Sequence, residues 1–136
     1  MKVIEQVLSV RTSRRCQMLD ITNQVVDIVS KSGIQNGLVT LYCPHTTAAV
    51  TINENADPDV PHDILLTLEK LIPQNLPGYR HNEGNSDAHV KSSLVGCNTQ
   101  IPLKNGNLIL GTWQGLFFCE FDGPRNRTLH VQILGQ

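Results

Sequence analysis

The sequence predicts an α+β fold that is mainly β, an antiparallel sandwich or barrel with helices appended. Three observations support this prediction. About seven segments have the alternation or the β-branched content of strands, whereas only two have clear helical spacing. From residue 98 onward the chain is strand-like almost throughout. Its 136 residues correspond to one domain, residues 1–136, which is long enough to bury a core without disulfides or a structural metal.

The N-terminal segment predicts one strand and one helix. Residues 3–12 contain Val, Ile and Leu in partial alternation with polar residues, which predicts a strand. Apolar pairs three residues apart predict a helix over 22–32. Asp20 or Thr22 can cap the start of this helix, and Gly33 can end it.

Two further strands are predicted over 37–43 and 47–53. The second places Thr47, Thr51 and Asn53 on one face, because successive side chains of a strand point to opposite faces. This row of hydrogen-bonding groups fits a polar binding surface, and it also fits a strand that faces solvent.

A second helix is predicted over 58–72. Asp57 is in position to be its N-cap, and Pro58 suits its first turn. An apolar stripe along this helix indicates that it packs on the body of the domain. After a long polar loop over 74–86, residues 87–95 fit either a short helix or a strand, and we favour the helix.

The C-terminal part predicts four strands joined by short turns. The strands are predicted over 98–103, 107–114, 116–122 and 127–134, with turns at 104–106, near Gly115 and at 122–124. The last strand alternates cleanly, with Leu129, Val131 and Ile133 on one face.

The charge balance excludes several classes of protein. Lys and Arg total 11 and Asp and Glu total 12, for a net charge of −1. The one basic cluster, Arg11, Arg14 and Arg15, is too small for a nucleic-acid surface, so we expect no nucleic-acid partner. No apolar run approaches the ~20 residues of a membrane span, and the N-terminus lacks the apolar segment of a signal peptide. We therefore expect a cytoplasmic protein with no membrane partner.

A first polar stretch surrounds the strand predicted over 47–53. His45 precedes this strand, and Glu54 and Asp57 follow it. A carboxylate in this position could act as a general base or as a metal ligand. A role for Asp57 as a helix cap alone explains the pattern about as well.

A second polar stretch ends the long loop with two histidines, His81 and His89, separated by acidic residues. Imidazole binds zinc and other transition metals, and a catalytic zinc site has three protein ligands and one open position. His45 would complete such a site if the fold brings it close. A surface loop that contains two histidines by chance is the simpler explanation.

A third stretch contains the single tryptophan, Trp113, between Gly111 and Gly115. Glycines within a strand allow another backbone or a ligand to approach closely. The alternative, which we slightly favour from the residues alone, makes Trp113 the largest core side chain of a chain with few aromatic residues.

Two arginines follow the turn predicted at 122–124. Arg125 and Arg127 could each hold a phosphate or a carboxylate through two hydrogen bonds. The simpler interpretation is that both residues only belong to the turn.

The same stretches carry a family resemblance. The motifs are HTTAAVTINENADPDVPHDI (45–64), HNEGNSDAHVKSSLVG (81–96) and NGNLILGTWQGLFFCEFDGPRNR (105–127). They resemble the YjbQ family, whose members are described as secondary thiamine-phosphate synthases. The resemblance extends from about Ser9 to Gly135.

This resemblance implies an antiparallel β-sandwich with two to three helices packed on one side, associating as a homotrimer. It also implies a site near a subunit boundary. The positions that match the family's site are His45, Thr46, Thr47, Asn53, Glu54, Asp57, His81, Asn85, His89, Gly111, Thr112, Trp113 and Gln114.

The motifs and the resemblance together lead to one hypothesis about function. We expect a small metal-dependent enzyme that resembles thiamine-phosphate synthase, joining a pyrimidine pyrophosphate to a thiazole phosphate with release of pyrophosphate. The expected cofactor is a divalent metal, zinc or magnesium, and the expected partners are copies of the chain and a small phosphorylated metabolite. The expected catalytic residues are Glu54, Asp57 and His89. The expected metal ligands are His45, His81 and His89. The residues expected to bind substrate are Thr46, Thr47, Asn53, Asn85, Thr112, Trp113, Gln114, Arg125 and Arg127.

Two alternatives stay open. A metal-dependent hydrolase of a small phosphorylated or acylated molecule would use a bound water where the synthase uses the thiazole nitrogen. A non-catalytic trimeric protein would bind a small anion without a reaction. A pocket with an open metal position favours an enzyme over a binding protein.

Overall fold

Eight β-strands and three α-helices form the fold, in a computed structural model that describes all 136 residues. In chain order the elements are β1 (Lys2–Arg11), β2 (Gln17–Asp20), α1 (Thr22–Ser32), β3 (Gly37–Tyr42), β4 (Ala48–Glu54), α2 (Asp59–Leu71), α3 (Ser86–Val95), β5 (Asn98–Lys104), β6 (Asn107–Leu108), β7 (Gln114–Glu120) and β8 (Asn126–Gly135).

The strands form two antiparallel sheets. The large sheet has the strand order β1-β8-β3-β5-β6, and the small sheet has the order β2-β7-β4. In the large sheet, β1 and β8 pair from Lys2 opposite Gly135 to Arg11 opposite Asn126. The first and last strands of the chain are therefore neighbours along their whole length.

The small sheet is built on the pairing of β4 with β7. Ala48 lies opposite Glu120 at one end of this pair, and Glu54 lies opposite Gln114 at the other end. The β2 strand pairs with the other side of β7, so β7 is the central strand of this sheet.

The main core lies between the inner faces of the two sheets and is closed at one end by α1. Its fully buried side chains include Val39, Leu41, Leu129, Val131 and Ile133 from the large sheet, Val50, Leu116 and Phe118 from the small sheet, and Val25 and Val29 from α1. The clean alternation predicted for the last strand is confirmed, since its alternate residues 129, 131 and 133 all face this core.

The capping expected for the first helix is also confirmed. Asp20 Oδ1 accepts hydrogen bonds from the backbone N–H of Thr22 at 2.9 Å and from its hydroxyl at 2.6 Å. The helix ends at Gly33, whose φ of 74° lies in the left-handed region that residues with a Cβ rarely adopt.

The other two helices cover the outer face of the small sheet. A second apolar cluster lies beneath them, made of Ala49, Ala88, Phe117, Cys119 and Phe121, with Met18, Leu65, Leu68 and Val95 packed against it. Residues 87–95 are helical, as we favoured from the sequence. The fold is thus a mainly β α+β sandwich with helices packed on one side, as predicted.

The outer face of the large sheet is open to solvent. Val3, Val7 and Tyr42 point to this face and are about half exposed, with Val7 at 54%. The large sheet therefore presents an apolar surface that no part of the same chain covers.

Two local predictions from the sequence are wrong. The strand predicted over 107–114 contains only β6 and the first residue of β7, because the chain turns between Gly111 and Gln114. The Gln114 N–H donates to the Gly111 carbonyl at 3.1 Å. Consequently Gly115, expected in a turn, is inside β7. The β2 strand has only four residues, too few to show an alternation, and the sequence did not reveal it.

Candidate functional site

The predicted site residues fall into two groups, one at each end of β4 and β7. The β4 strand has seven residues, from Ala48 to Glu54, and its ends are therefore about 20 Å apart. We call the two groups the cationic end and the Trp end. The cationic end contains His45, Thr46, Thr47, His81, Asn85, His89, Arg125 and Arg127; the Trp end contains Asn53, Glu54, Asp57, Thr112, Trp113 and Gln114. One chain alone therefore does not join the three motifs into a single site.

A buried ion pair anchors the cationic end. Arg127 Nε donates to Glu120 Oε1 at 2.8 Å, and its Nη2 donates to Glu120 Oε2 and to the Thr47 hydroxyl. The Thr12 hydroxyl donates to the same carboxylate at 2.8 Å. Burial alone would raise the pKa of Glu120, but the hydrogen bonds from Arg127, from the Asp122 N–H and from Thr12 outweigh it and hold the pKa below its ordinary value. Arg127 and Thr47, predicted to bind substrate, are thus occupied by structural contacts.

A second buried carboxylate lies at the start of α3. Asp87 accepts two hydrogen bonds from the Arg15 guanidinium, at 3.1 and 2.9 Å, and one from Lys91 Nζ at 2.8 Å. Burial would raise the pKa of Asp87, but these two cations outweigh it and hold the pKa below its ordinary value. Lys91 is almost fully buried, whereas Arg15 keeps about a third of its side chain exposed.

Asn85 contacts a third ion pair, between Arg125 and Asp122. Its Nδ2 donates to Asp122 Oδ2 at 2.9 Å, and Arg125 Nη2 donates to the same oxygen at 2.9 Å. Asn85 occupies the N-cap position of α3 without capping it, and its Oδ1 is buried with no hydrogen-bond partner. A buried side-chain oxygen without a hydrogen-bond partner therefore lies at the start of α3.

The ion pairs of the cationic end contain one more cation than carboxylates, and Glu83 lies nearby, beside His81. Four cationic side chains, from Arg15, Lys91, Arg125 and Arg127, face three carboxylates, from Asp87, Glu120 and Asp122. The N-terminus of α3 adds the positive end of its helix dipole to this region. Both features favour the binding of an anion.

His81 and His89 lie together beside this helix N-terminus. Their ring centroids are 5.5 Å apart and the rings are nearly perpendicular. Glu83 Oε2 lies 3.5 Å from His81 Nε2. An adjacent hollow of about 370 Å³ is lined by residues of the long loop that include Gln74, Tyr79 and His81. Of the three histidines expected to bind metal, the fold brings these two together.

His45 belongs to the same end but does not join the two other histidines, and it has a structural partner. Its Nε2 accepts a hydrogen bond from the Thr128 N–H at 3.0 Å, at the end of the β3 and β8 pair. Burial, followed by the charge of Arg127, lowers the pKa of His45, which favours the neutral ring that this contact requires. No three His, Cys, Asp or Glu side chains of the chain lie close enough to hold a metal ion.

The Trp end is more exposed. Trp113 is 63% exposed, so its interpretation as a core residue is wrong. The Asn55 N–H donates to the Trp113 carbonyl at 3.0 Å, and Asn55 Nδ2 donates to Asp20 Oδ2 at 3.1 Å. A Cβ on Gly115 would lie 2.3 Å from Asn55 Nδ2, so the close approach expected of this glycine is to another part of the chain.

The two carboxylates expected to act in catalysis lie at this second end. Asp57 Oδ1 accepts a hydrogen bond from the Asp59 N–H at 2.9 Å, which fixes the turn into α2. Glu54 is the last residue of β4; it is half-buried and lies opposite Gln114. Both therefore lie at the other end of β4 from the group that contains His89, the third expected catalytic residue.

Sequence reasoning missed the residues that hold the cationic end together. They are Arg15, Asp87, Lys91, Glu120 and Asp122. One signal was available: Asp87 and Lys91 are four residues apart, so a helix over 87–95 places them on one face.

Comparison with known proteins places this fold and these motifs in a family. A family model described as "UPF0047 protein YjbQ-like" matches residues 6–136. The chain belongs to the YjbQ-like UPF0047 family. It is 53% identical over 126 residues to a UPF0047 protein of Methanocaldococcus jannaschii, covering 93% of this chain and 91% of that protein. It is 49% identical over 130 residues to UPF0047 protein YugU of Bacillus subtilis, covering 96% and 98%.

Solved YjbQ/UPF0047 structures have the same fold. A Clostridium acetobutylicum protein of this family superposes with a TM-score of 0.92 at 53% identity, covering 95% of this chain and 99% of that chain. A YjbQ-like protein of unknown function from Sulfolobus solfataricus superposes with a TM-score of 0.95 at 37% identity, covering 99% of both. None of the three helices of the structure is long and apolar enough to span a membrane.

Proposed function

We propose that this YjbQ-like protein is an enzyme that acts on a small phosphorylated metabolite at its cationic end, in a reaction like that of thiamine-phosphate synthase. The observation that carries this proposal is that two guanidinium groups, of Arg15 and Arg125, lie beside the first turn of α3, where Asp87 and the partner of Asn85, Asp122, hold them. Such a turn offers backbone N–H groups and a positive dipole to phosphate oxygens. Arg15 and Arg125 are the cations of these ion pairs whose side chains are partly exposed.

The reaction requires stabilisation of a departing pyrophosphate. The thiazole nitrogen attacks the methylene carbon of the pyrimidine substrate, a C–N bond forms, and the C–O bond to pyrophosphate breaks with its electron pair on oxygen. Positive groups fixed beside that oxygen stabilise the negative charge that develops on it. Arg15 is held by Asp87 and Arg125 by Asp122, so both guanidinium groups are positioned before substrate binds.

His81 and His89 are placed to assist at the same position. Both are beside the first turn of α3, and a protonated imidazole can donate a hydrogen bond to a departing phosphate. In this proposal His89 is the catalytic histidine, as expected from the sequence, and His81 binds the phosphate group.

A divalent metal, zinc or magnesium, fits the single chain only in part. His81 and His89 supply two ligands, one fewer than a catalytic zinc site takes from the protein, and His45 is bonded to Thr128. A complete site would need a ligand from a second subunit or from the substrate. The proposed steps above therefore rely on the side chains of the chain itself.

We further propose that the protein is a homotrimer built on the open face of the large sheet. This face carries exposed Val3, Val7 and Tyr42. Along β1 and β8 its central positions hold one charged side chain, Glu5, opposite Gln132. Depletion of charge and exposed aromatic and aliphatic side chains are the composition of the centre of a protein interface.

A trimer would also give the Trp end a role. Segments 20–24, 52–60 and 109–116 form this end and contain four acidic residues and no Lys or Arg. The cationic end contains Arg15 and Arg125 with partly exposed side chains, which are complementary to these carboxylates of a neighbouring subunit. In this proposal Glu54, Asp57 and Trp113 of one subunit would complete the cationic end of another.

The test is product formation from the pyrimidine pyrophosphate and the thiazole phosphate, measured by liquid chromatography with and without a chelator. Arg125→Gln and His89→Ala are expected to lose most of the activity. Arg11→Gln, which replaces an exposed arginine of β1 that forms no ion pair, is the matched control. Absence of product from the wild type with any metal overturns the synthase proposal. Phosphate release from one substrate alone would favour the hydrolase, and binding without turnover would favour the anion-binding protein.

A further inference from the structure

The free edge of the small sheet lies beside a groove that the proposed reaction does not use. The β2 strand pairs with β7 through Gln17–Asp20, and no other strand pairs with its second edge. None of the remaining backbone hydrogen bonds of the protein involves these four residues. Backbone groups on such an edge are free to pair with an added strand.

The α2 helix forms the opposite wall of this groove. The groove encloses about 420 Å³, and its apolar lining comes from Met18 of β2 and from Pro61, Leu65 and Leu66 of α2. Leu66 is 44% exposed, and no residue of α2 is fully buried. The helix therefore keeps apolar surface available on the side that faces β2.

Positive charge lies at the start of β2. Arg14 lines the groove and has no ion-pair partner, in contrast to Arg15, which is paired with Asp87. The backbone N–H groups of Arg14 and Arg15 also have no hydrogen-bond partner. A free cation and free N–H groups in the loop before an edge strand are complementary to a carboxylate.

We propose that this groove binds the C-terminus of a partner protein in an extended conformation. The peptide adds a strand antiparallel to the free edge of β2, as in recognition by strand addition. Its terminal carboxylate binds Arg14 and the loop N–H groups, and its last side chain, an apolar one, packs between Met18 and Leu66. Charge complementarity favours a chain terminus over an internal segment, which has no carboxylate in its backbone.

The groove also contains a negative charge. Glu69 of α2 lines the same groove as Arg14. A carboxylate on this wall repels the carboxylate of the peptide, so the two residues have opposite effects on binding. Removal of Arg14 weakens binding, and removal of the Glu69 charge strengthens it.

The test uses four fluorescein-labelled hexapeptides, Gly-Ser-Thr-Val-Thr-X with X as Leu, Val, Phe or Asp, each with a free and an amidated C-terminus. Fluorescence polarisation measures their binding to the full chain. A free peptide that ends in Leu, Val or Phe is expected to bind at least about tenfold more tightly than its amide, the factor that one charge-assisted hydrogen bond supplies. Arg14→Gln should remove the difference in affinity between acid and amide. Glu69→Gln should tighten the binding of the free peptides, and Leu66→Glu should abolish their binding.

Arg11→Gln is the matched control, because this exposed arginine of the same cluster does not line the groove. The location of binding is checked by amide shifts in nuclear magnetic resonance spectra, which are expected at Gln17–Asp20 and along α2. Three results would overturn the proposal: no binding by any peptide up to about 1 mM, equal binding of acids and amides, or shifts confined to other surfaces. None of these results bears on the cationic end, so this test is separate from that of the proposed reaction.

Discussion

Asp87 and Lys91, one turn apart on α3, form an ion pair that is almost completely removed from water. Their side chains are 0% and 2% exposed, and the Lys91 Nζ lies 2.8 Å from Asp87 Oδ2. Arg15 completes the arrangement from the loop between β1 and β2. This pair ties the helical layer to the N-terminal part of the chain at the point where the cationic end begins.

Loss of Lys91 is expected to destabilise the protein. In Lys91→Met the carboxylate of Asp87 stays buried with one of its two cations, and removal of one partner from a buried pair costs about 3 kcal/mol. Chemical denaturation measures the change in the free energy of unfolding. Lys31→Met is the control, because Lys31 forms an exposed pair with Asp27 that contributes less than about 1 kcal/mol. Equal effects of the two variants would contradict the structural role of Lys91.

Acid is expected to weaken the fold through the two buried carboxylates. The pKa values of Asp87 and Glu120 lie below their ordinary values of 3.8 and 4.5. A carboxylate with a lowered pKa stabilises the folded state above its unfolded-state pKa, and this contribution is lost as the pH falls through its folded-state pKa. Urea unfolding should therefore show full stability above about pH 5 and a decline below about pH 4.

Two variants separate the contribution of the buried pair in that experiment. Asp87→Asn should be less stable at neutral pH and should lose less stability on acidification. Asp27→Asn, which changes an exposed carboxylate, should follow the wild type. A wild-type free energy of unfolding that stays constant from pH 5 to about pH 3 would show that these carboxylates do not stabilise the fold.

Substitution on the open face of the large sheet is expected to dissociate the proposed trimer. Val7→Lys places a charge in the middle of this face, where burial against another subunit would be unfavourable. Analytical ultracentrifugation should find three chains per particle for the wild type and one for the variant. Val26→Lys, at a comparably exposed position on α1, should keep the wild-type mass. A monomeric wild type, or a trimeric Val7→Lys, would exclude this face as the interface.

Metal content is expected to depend on His89. Since His81 and His89 are the two histidines that lie together, His89→Ala should remove any zinc that co-purifies with the protein. His62→Ala is the control, because His62 is exposed on α2 and contacts Asp63, away from both histidines. Elemental analysis by mass spectrometry gives the ratio of zinc to protein. A ratio that does not change in His89→Ala would refute this ligand assignment.

The parts of the fold that depend on local sequence were predictable. The first helix follows from its apolar spacing and from the cap at Asp20, and its bounds agree with the prediction. The helical interpretation of residues 87–95 is also correct, although α3 has no side-chain cap. By contrast, β2 forms because it pairs with β7, which is distant in the sequence. A four-residue segment has no pattern that predicts this pairing.

The site was harder to predict because distance along the chain is not distance in space. The first polar stretch reads as one motif, yet β4 runs through its middle and places His45 and Glu54 at opposite ends of the small sheet. Trp113 is exposed since the turn between Gly111 and Gln114 removes it from the sheet, which composition cannot show. One clue was present: Arg127 continues the alternation of Leu129, Val131 and Ile133, so it had to face the interior.

The pairing of β1 with β8 has a consequence for how the chain can be rearranged. Lys2 and Gly135 face each other across this ladder, so the two termini lie within a few residues of one another. A short linker could join them, and new termini could be opened at Gly78 in the exposed loop before α3. Such a circular permutant would keep every strand pair and both ends of the small sheet. Its new termini would lie in a loop that takes no part in either sheet.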